Sequence, residues 1–244
     1  GGRALDNELF DFKELGEWAG KVFTDGMIQR MMLRETPLGG SSGFIDMEPA
    51  YPDFPTQSYQ LSYPATGAPQ LAAQIAEKLQ QAGFNPQLNT SRGWDHGVFV
   101  PLLMLRPQAD IPVLQLSLLK GLDAATHIAL GEAISFLRSQ NVMIIGSGMS
   151  FHNMQAFFRP DLVSDNQVSE FNQYLINSLQ PQHNYADQAQ RLINWQQAPH
   201  ARLIHPREEH LLPLHVCFGA AKGATAQVLF NDKVLNKTVL AFGW

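Results

Sequence analysis

The sequence predicts an α/β protein, and three observations carry that expectation. Short runs rich in Val, Ile and Leu at residues 111–118 and 141–145 have the length and composition of buried strands. They alternate with longer stretches of helical periodicity, the pattern of helices packed on a sheet. The 244 residues, 45% of them hydrophobic and 16% charged, suffice for one large domain with a full core.

The elements follow in order. Residues 8–22 and 27–34 read as short helices, closed by the cluster Thr36-Pro37-Leu38-Gly39-Gly40-Ser41-Ser42-Gly43, the best linker candidate. Glu8, Asp11, Glu14 and Glu17 repeat at helical spacing and are expected to form a solvated face. Prolines and aromatic residues between Tyr51 and Pro69 predict an ordered loop. Leu71, Ile75 and Leu79 form one stripe of a helix over residues 69–81, with Gly83 placed to cap its end. An apolar stretch then runs to Leu105, and the strand candidate 111–118 follows. Asp123 is expected to cap a helix running to Ser139, and the strand candidate 141–145 opens into Gly146-Ser147-Gly148. Helices are expected near residues 169–179, 186–196 and 208–221, and two short strands near 227–230 and 238–242.

Composition excludes several classes of function. A net charge of −5 with scattered Lys and Arg is the wrong balance for tracking phosphates, so no nucleic-acid partner is expected. The longest apolar stretch, residues 98–105, is broken by Pro101 and far too short to span a bilayer, so no membrane partner is expected either. The first residues lack a basic region followed by an apolar one, and the single Cys217 cannot form an internal disulfide; both fit a cytoplasmic setting. In its apolar helix Cys217 reads as a small buried hydrophobe.

All eight histidines lie between His96 and His215. Three stand at the ends of predicted elements beside Gly, Asn or carboxylate: His96 in Trp94-Asp95-His96-Gly97, His152 in Ser150-Phe151-His152-Asn153, and His210 after Glu208-Glu209. Ligands gather where strands end in α/β sheets, which favours His152. Taken singly, each is as readily a structural histidine. His127, His183, His200 and His215 lack such a context and read as solvated or helix-packing residues. Residues 146–151 lack the third glycine of a dinucleotide fingerprint, residues 148–152 end in His where a hydrolase elbow needs Gly, and His205 and His210 lack the spacing of a zinc-protease helix.

Five ordered blocks resemble the class III extradiol ring-cleavage dioxygenases of the DOPA-dioxygenase type, with the catalytic LigB-like subunit. They are residues 59–69, 92–102 (Arg92-Gly93-Trp94-Asp95-His96-Gly97 and onward), 110–117, 146–153 and 205–214. The resemblance covers residues 47–244 and leaves residues 1–46 unassigned. It implies one α/β domain with a central mixed sheet flanked by helices, a non-haem Fe(II) centre (or Zn in a purified sample), a small aromatic diol and O2 as substrates, and assembly as monomers or small oligomers. By that resemblance His210 is the metal ligand, His152 the acid/base and His96 the pocket histidine that meets substrate or oxygen. Trp94, Phe99, Tyr63 and Asn153 would line the substrate pocket.

The family takes two more ligands from His-Gly and Ser-Ala-His-Trp turns near its N-terminus, and residues 1–95 contain no His. Asp46, Glu48 or Asp53 are the carboxylates available as substitutes. Two function classes therefore stand side by side: extradiol ring cleavage, and a catalytically impaired or non-enzymatic relative that binds a small aromatic or a partner protein.

Overall fold

Helix boundaries in this chain are set by local capping chemistry, and in the computed structural model, which describes residues 62–244, most are where that chemistry puts them. Helix α1 spans Pro69–Gln81, with Pro at its start where a missing N–H costs nothing. Gly83 follows at φ +87, and the Phe84 N–H reaches back to the Leu79 carbonyl at 2.9 Å. This closure brings Phe84 into the apolar cluster that also takes Leu71, Ile75 and Leu79.

The apolar stretch before Leu105 is helix α2, His96–Leu105, started by the Asp95 carbonyl, which accepts from the Val98 and Phe99 N–H groups. Asp123 caps α3, Ala124–Ile134, by accepting from the Thr126 N–H at 2.7 Å. The helix tightens to a 3-10 turn over Ser135–Gln140 and stops at Asn141 in the left-handed region, φ 58. Asn153 caps α4, Met154–Phe158.

The next helix, α5, spans Asp165–Ser178 and so begins before the expected residue 169, because Ser164 and Gln167 form a reciprocal capping box. Helix α6 spans Tyr185–Ile193, capped by Asn184, and α7 is the short Ala201–Ile204. The last helix, α8, spans Leu212–Ala221 and not 208–221. Pro213 occupies its first turn, and the Glu208 carbonyl instead takes the Leu211 and Leu212 N–H groups in a turn before it.

Strands β1, Gln227–Val234, and β2, Lys237–Gly243, form an antiparallel hairpin turning through Leu235 and Asn236, both at positive φ as a two-residue mirror-image turn requires. A bulge between Val228 and Phe230 inserts one extra residue.

Of the expected central mixed sheet flanked by helices, the described residues show only the hairpin. Among the described residues the architecture is mixed helical with one two-stranded sheet, and residues 111–118 and 141–145 enter no ladder beyond an isolated parallel bridge between Gly67 and Val113. Composition alone does not make a strand, since the backbone must find a neighbour with which to exchange hydrogen bonds. The two-residue alternation is nonetheless there: Val142 and Ile144 pack on the core, while Met143 and Ile145 are exposed. The expected helices within residues 1–46, the linker at 36–43, the loop from 51 up to 61 and the carboxylates Asp46, Glu48 and Asp53 lie outside the described residues. Among those described, no helix is long and apolar enough to cross a membrane.

The largest core cluster joins Phe151, Phe157, Phe171, Trp195, Ile204, Leu211 and Leu212 to the hairpin residues Val234, Val239 and Leu240. Some buried polar groups beside it are answered by backbone. Lys237, 2% exposed, donates to the Pro160 and Val163 carbonyls.

His127 and His215 prove to be helix-packing histidines, and both are fully buried. The His127 Nδ1 lies 2.6 Å from the Asp123 carbonyl, and Nε2 accepts from the Leu119 N–H, a pattern only a neutral ring with its proton on Nδ1 satisfies. Burial pushes the pKa values of His127, His205 and His215 down, that of His205 to about 3.

A histidine whose folded pKa lies below its unfolded value stabilises the fold above the unfolded value of 6.5, and that stabilisation is lost as pH falls toward the folded value. Asp110, Asp123 and Asp165, held low by their hydrogen-bonded partners, act only in a lower window, below 3.8. Urea unfolding at pH 7.5 and pH 5 is therefore expected to show lower stability at pH 5, by up to about 1.4 kcal/mol per pH unit for each of the three rings. Equal stability at the two values would mean that these rings are not held neutral.

Candidate active site

The segment carrying His152 is placed by backbone bonds to the segments on either side of it. The Met149 N–H donates to the His210 carbonyl at 2.9 Å, and the His152 N–H donates to the Ile204 carbonyl at 3.1 Å. Between them, Ser150 is buried; its Oγ accepts from the Leu240 N–H at 2.8 Å, and its carbonyl lies 2.9 Å from Nε2 of His205. Residues 149–152 are thus gripped by the 204–210 segment and by strand β2.

Glycines make this approach feasible. A side chain at Gly148 would overlap the His210 carbonyl oxygen, and one at Gly146 would come within 2.7 Å of both the Cys217 Sγ and the Pro213 carbonyl. The Gly-Ser-Gly run that fails as a dinucleotide fingerprint is therefore explained by packing, its two glycines letting a loop lie directly against the start of α8. Cys217 is half-buried where a fully buried side chain was expected, and desolvation against that loop pushes its thiol up to about 11.

The outcome of these contacts is that the half-buried rings of His152 and His210 stack nearly parallel, centroids 3.3 Å apart and planes 11° apart. The two residues are 58 positions apart in sequence (210 − 152). The turn that presents His210 is stiffened by Arg202, which pairs with Glu208 at 2.5 Å and lies 4.8 Å over the Trp195 ring. Arg207 lies 3.3 Å from Glu209, but Glu209 Oε2 is buried without hydrogen-bond geometry, so this pair is an ionic contact only.

The backbone of His96 opens α2, and the next residue, Gly97, abuts Ser147: a Cβ there would lie 3.6 Å from the Ser147 hydroxyl. The start of α2 therefore adjoins the loop that leads to His152. Asp95 is fixed by Gln115, which accepts from the Asp95 N–H and donates to its carboxylate at 2.6 Å.

Trp94 and Phe99 are half-buried on either side of this helix start. Tyr63 is 5% exposed and its hydroxyl donates to the Arg106 carbonyl at the far end of α2. Asn153 uses both ends of its amide on backbone, accepting from the Ala156 N–H and donating to the Leu203 carbonyl.

Among the described residues no group of three or more His, Cys, Asp or Glu side chains is placed to hold a metal ion. Stacked rings bring faces together, whereas a metal is bound by lone pairs in the ring plane, so the His152–His210 contact does not make a two-imidazole chelate. The described donor set therefore does not by itself fit a metal ion.

The backbone contacts of Ser150, His205, Gln115 and the two loop glycines are what the sequence reading missed. The glycine pair was the available signal, since two glycines flanking one serine at a predicted strand end mark a close backbone approach.

The model of the catalytic LigB subunit of aromatic ring-opening dioxygenases matches residues 41–242. The chain is 35% identical to the dioxygenase tasH of Hapsidospora irregularis, over 80% of this chain and 63% of that protein, so it spans just under two thirds of that relative's length. It is 33% identical to the 4,5-DOPA dioxygenase extradiol of Beta vulgaris, over 94% and 87% of the two chains, and 40% identical to that of Portulaca grandiflora, over 70% and 62%. The crystal structure of an uncharacterized protein from Escherichia coli K12 superposes with a TM-score of 0.64 at 28% identity, over 75% of each chain.

Replacing Gly148 by Ala is expected to push the loop off the His210 carbonyl, costing about 1–3 kcal/mol of stability as overpacking does, and to weaken the ring stack. Thermal unfolding and the ring-proton shifts of His152 check this. A variant with unchanged stability and shifts would show that the close approach is not enforced.

Proposed function

Because the chain belongs to the LigB family of aromatic ring-opening dioxygenases, we propose that it opens the ring of a catechol-type aromatic beside its two hydroxyls, with O2 as oxidant. Both oxygen atoms enter the product, so the reaction calls for no external reductant. The observation that carries this reading is the contact of His152 with His210, two histidines that the family pattern puts in one site and that stack at 3.3 Å.

In this reading His152 is the acid/base. A neutral imidazole takes the proton of one diol hydroxyl and returns it as the ring opens. His96 meets the substrate or the oxygen-derived group from the start of α2. Trp94 and Phe99 are the aromatic wall beside it. Tyr63 and Asn153 serve that wall through backbone, the first by anchoring the end of α2 and the second by capping the helix after His152.

His210 is assigned to the metal, Fe(II) by the family reading or Zn as an alternative occupant. Non-haem ferrous sites draw on about three protein ligands. Since residues 1–95 hold no His and the described donors do not fit a metal ion alone, no step is derived through it. The same observation favours a second reading, a relative that binds a small aromatic or a partner protein without turnover.

Anaerobic loading with Fe(II), followed by iron stoichiometry and O2 uptake with a catechol, separates the two. Ring cleavage predicts bound iron and uptake, and the binding reading predicts neither. His152→Ala is expected to keep iron and lose about 10²- to 10⁴-fold in turnover, while His210→Ala loses the iron. Equal iron loss in both variants would make His152 a ligand and overturn the division of roles.

A further inference from the structure

His205 is fully buried, and the reaction proposed above gives it no task. Its Nε2 lies 2.9 Å from the Ser150 carbonyl, and a carbonyl only accepts, so Nε2 carries the proton. The other ring nitrogen, Nδ1, is buried with no hydrogen-bond partner. The ring is walled by Phe171, at 5.5 Å, and by Trp195, edge-on at 6.0 Å. Both of these aromatics are at most 1% exposed.

An imidazole with one nitrogen orphaned in such a wall is an expensive filler. A buried polar group without a partner costs free energy that an apolar side chain of the same volume does not. What His205 supplies and Leu or Met would not is a single donor aimed at Ser150. The neighbouring residue, Ile204, accepts from the His152 N–H, so residues 204 and 205 hold the backbone on both sides of Phe151. Phe151 itself is fully buried and packs edge-on against Phe157, while His152 after it is half-buried with its ring on that of His210.

We propose that His205 is a positioning residue: through Nε2 it donates to the Ser150 carbonyl and thereby sets the backbone from which the His152 ring reaches the ring of His210. The catalytic consequence rests on the acid/base reading of His152, whereas the positioning itself does not. A shift of about 1 Å in such a group is enough to lose about 10²-fold in rate.

The test uses three variants of the whole chain. His205→Gln places an amide N–H where Nε2 stood, His205→Asn places it where Nδ1 stood, and His205→Met keeps the volume with no donor. In the metal-free protein, the ring-proton shifts of His152, displaced by the stacked His210 ring, are expected to stay near wild type in the Gln variant. They should collapse toward free-histidine values in Asn and Met. With Fe(II) loaded, Asn and Met are expected to lose about 10²-fold in kcat with KM and iron stoichiometry held, and Gln to recover most of the loss.

Asn and Met remove the donor through different volumes, so a failure of either to unfold cooperatively leaves the other to decide. Wild-type shifts in the folded Asn or Met variant, or equal loss in Gln and Met, would overturn the proposal. Shifts that move as expected while neither wild type nor variant consumes O2 would uphold the positioning and sink the ring-cleavage reading.

Discussion

Helix α8 and the turn before it are approached through glycine from two directions, and the rest of the structure depends on that absence of side chains. Gly131 of α3 lies against the Val216 carbonyl, and Gly219 of α8 lies against the Ile128 carbonyl, so the two helices meet backbone to backbone. On another side Gly146 and Gly148 bring a loop onto Pro213 and the His210 carbonyl. A single methyl group at any of the four would overlap, or press closely on, neighbouring backbone. Close-packed interiors have no slack to absorb it.

From that constraint follows the unequal treatment of the histidines. Three rings, His127, His205 and His215, are sealed among helices, answered by backbone groups and held neutral by burial. His200, half-buried, lies 2.9 Å from Glu170. His152 and His210 are likewise half-buried, and their rings stack on each other. An acid/base group needs that intermediate position, dry enough for directed proton transfer and open enough to reach a substrate.

The site is also economical in what supports it. The 204–212 segment supplies the Ile204 acceptor, the His205 donor, the His210 ring and the Glu208 turn that starts α8. Because one short segment both presents His210 and grips the backbone of His152, displacement of either ring moves the other's support. Hydrogen bonds from adjoining backbone positions constrain orientation as well as distance, which is how precision is reached at a site built on turns.

Much of the local structure was legible in the sequence because it rests on short-range chemistry. The helix over residues 69–81 with its Gly83 stop, the Asp123 cap and the closing hairpin are all decided within a few residues of themselves. The ordered blocks around His96, His152 and His210 marked the family for the same reason, since each is a local motif. What the sequence by itself could not determine is which backbone meets which. Residues 111–118 and 141–145 have strand composition, yet a ladder depends on a partner elsewhere in the chain, and among the described residues the one bridge joins Val113 to Gly67. His205 reads in the sequence as one more histidine beside a proline. Only the tertiary structure, by burying one of its nitrogens and turning the other to Ser150, decided that its work is done 55 residues away. Propensity and capping act over a turn or two of chain, whereas the stack of His152 on His210 exists only because glycines let three separate segments close on one another.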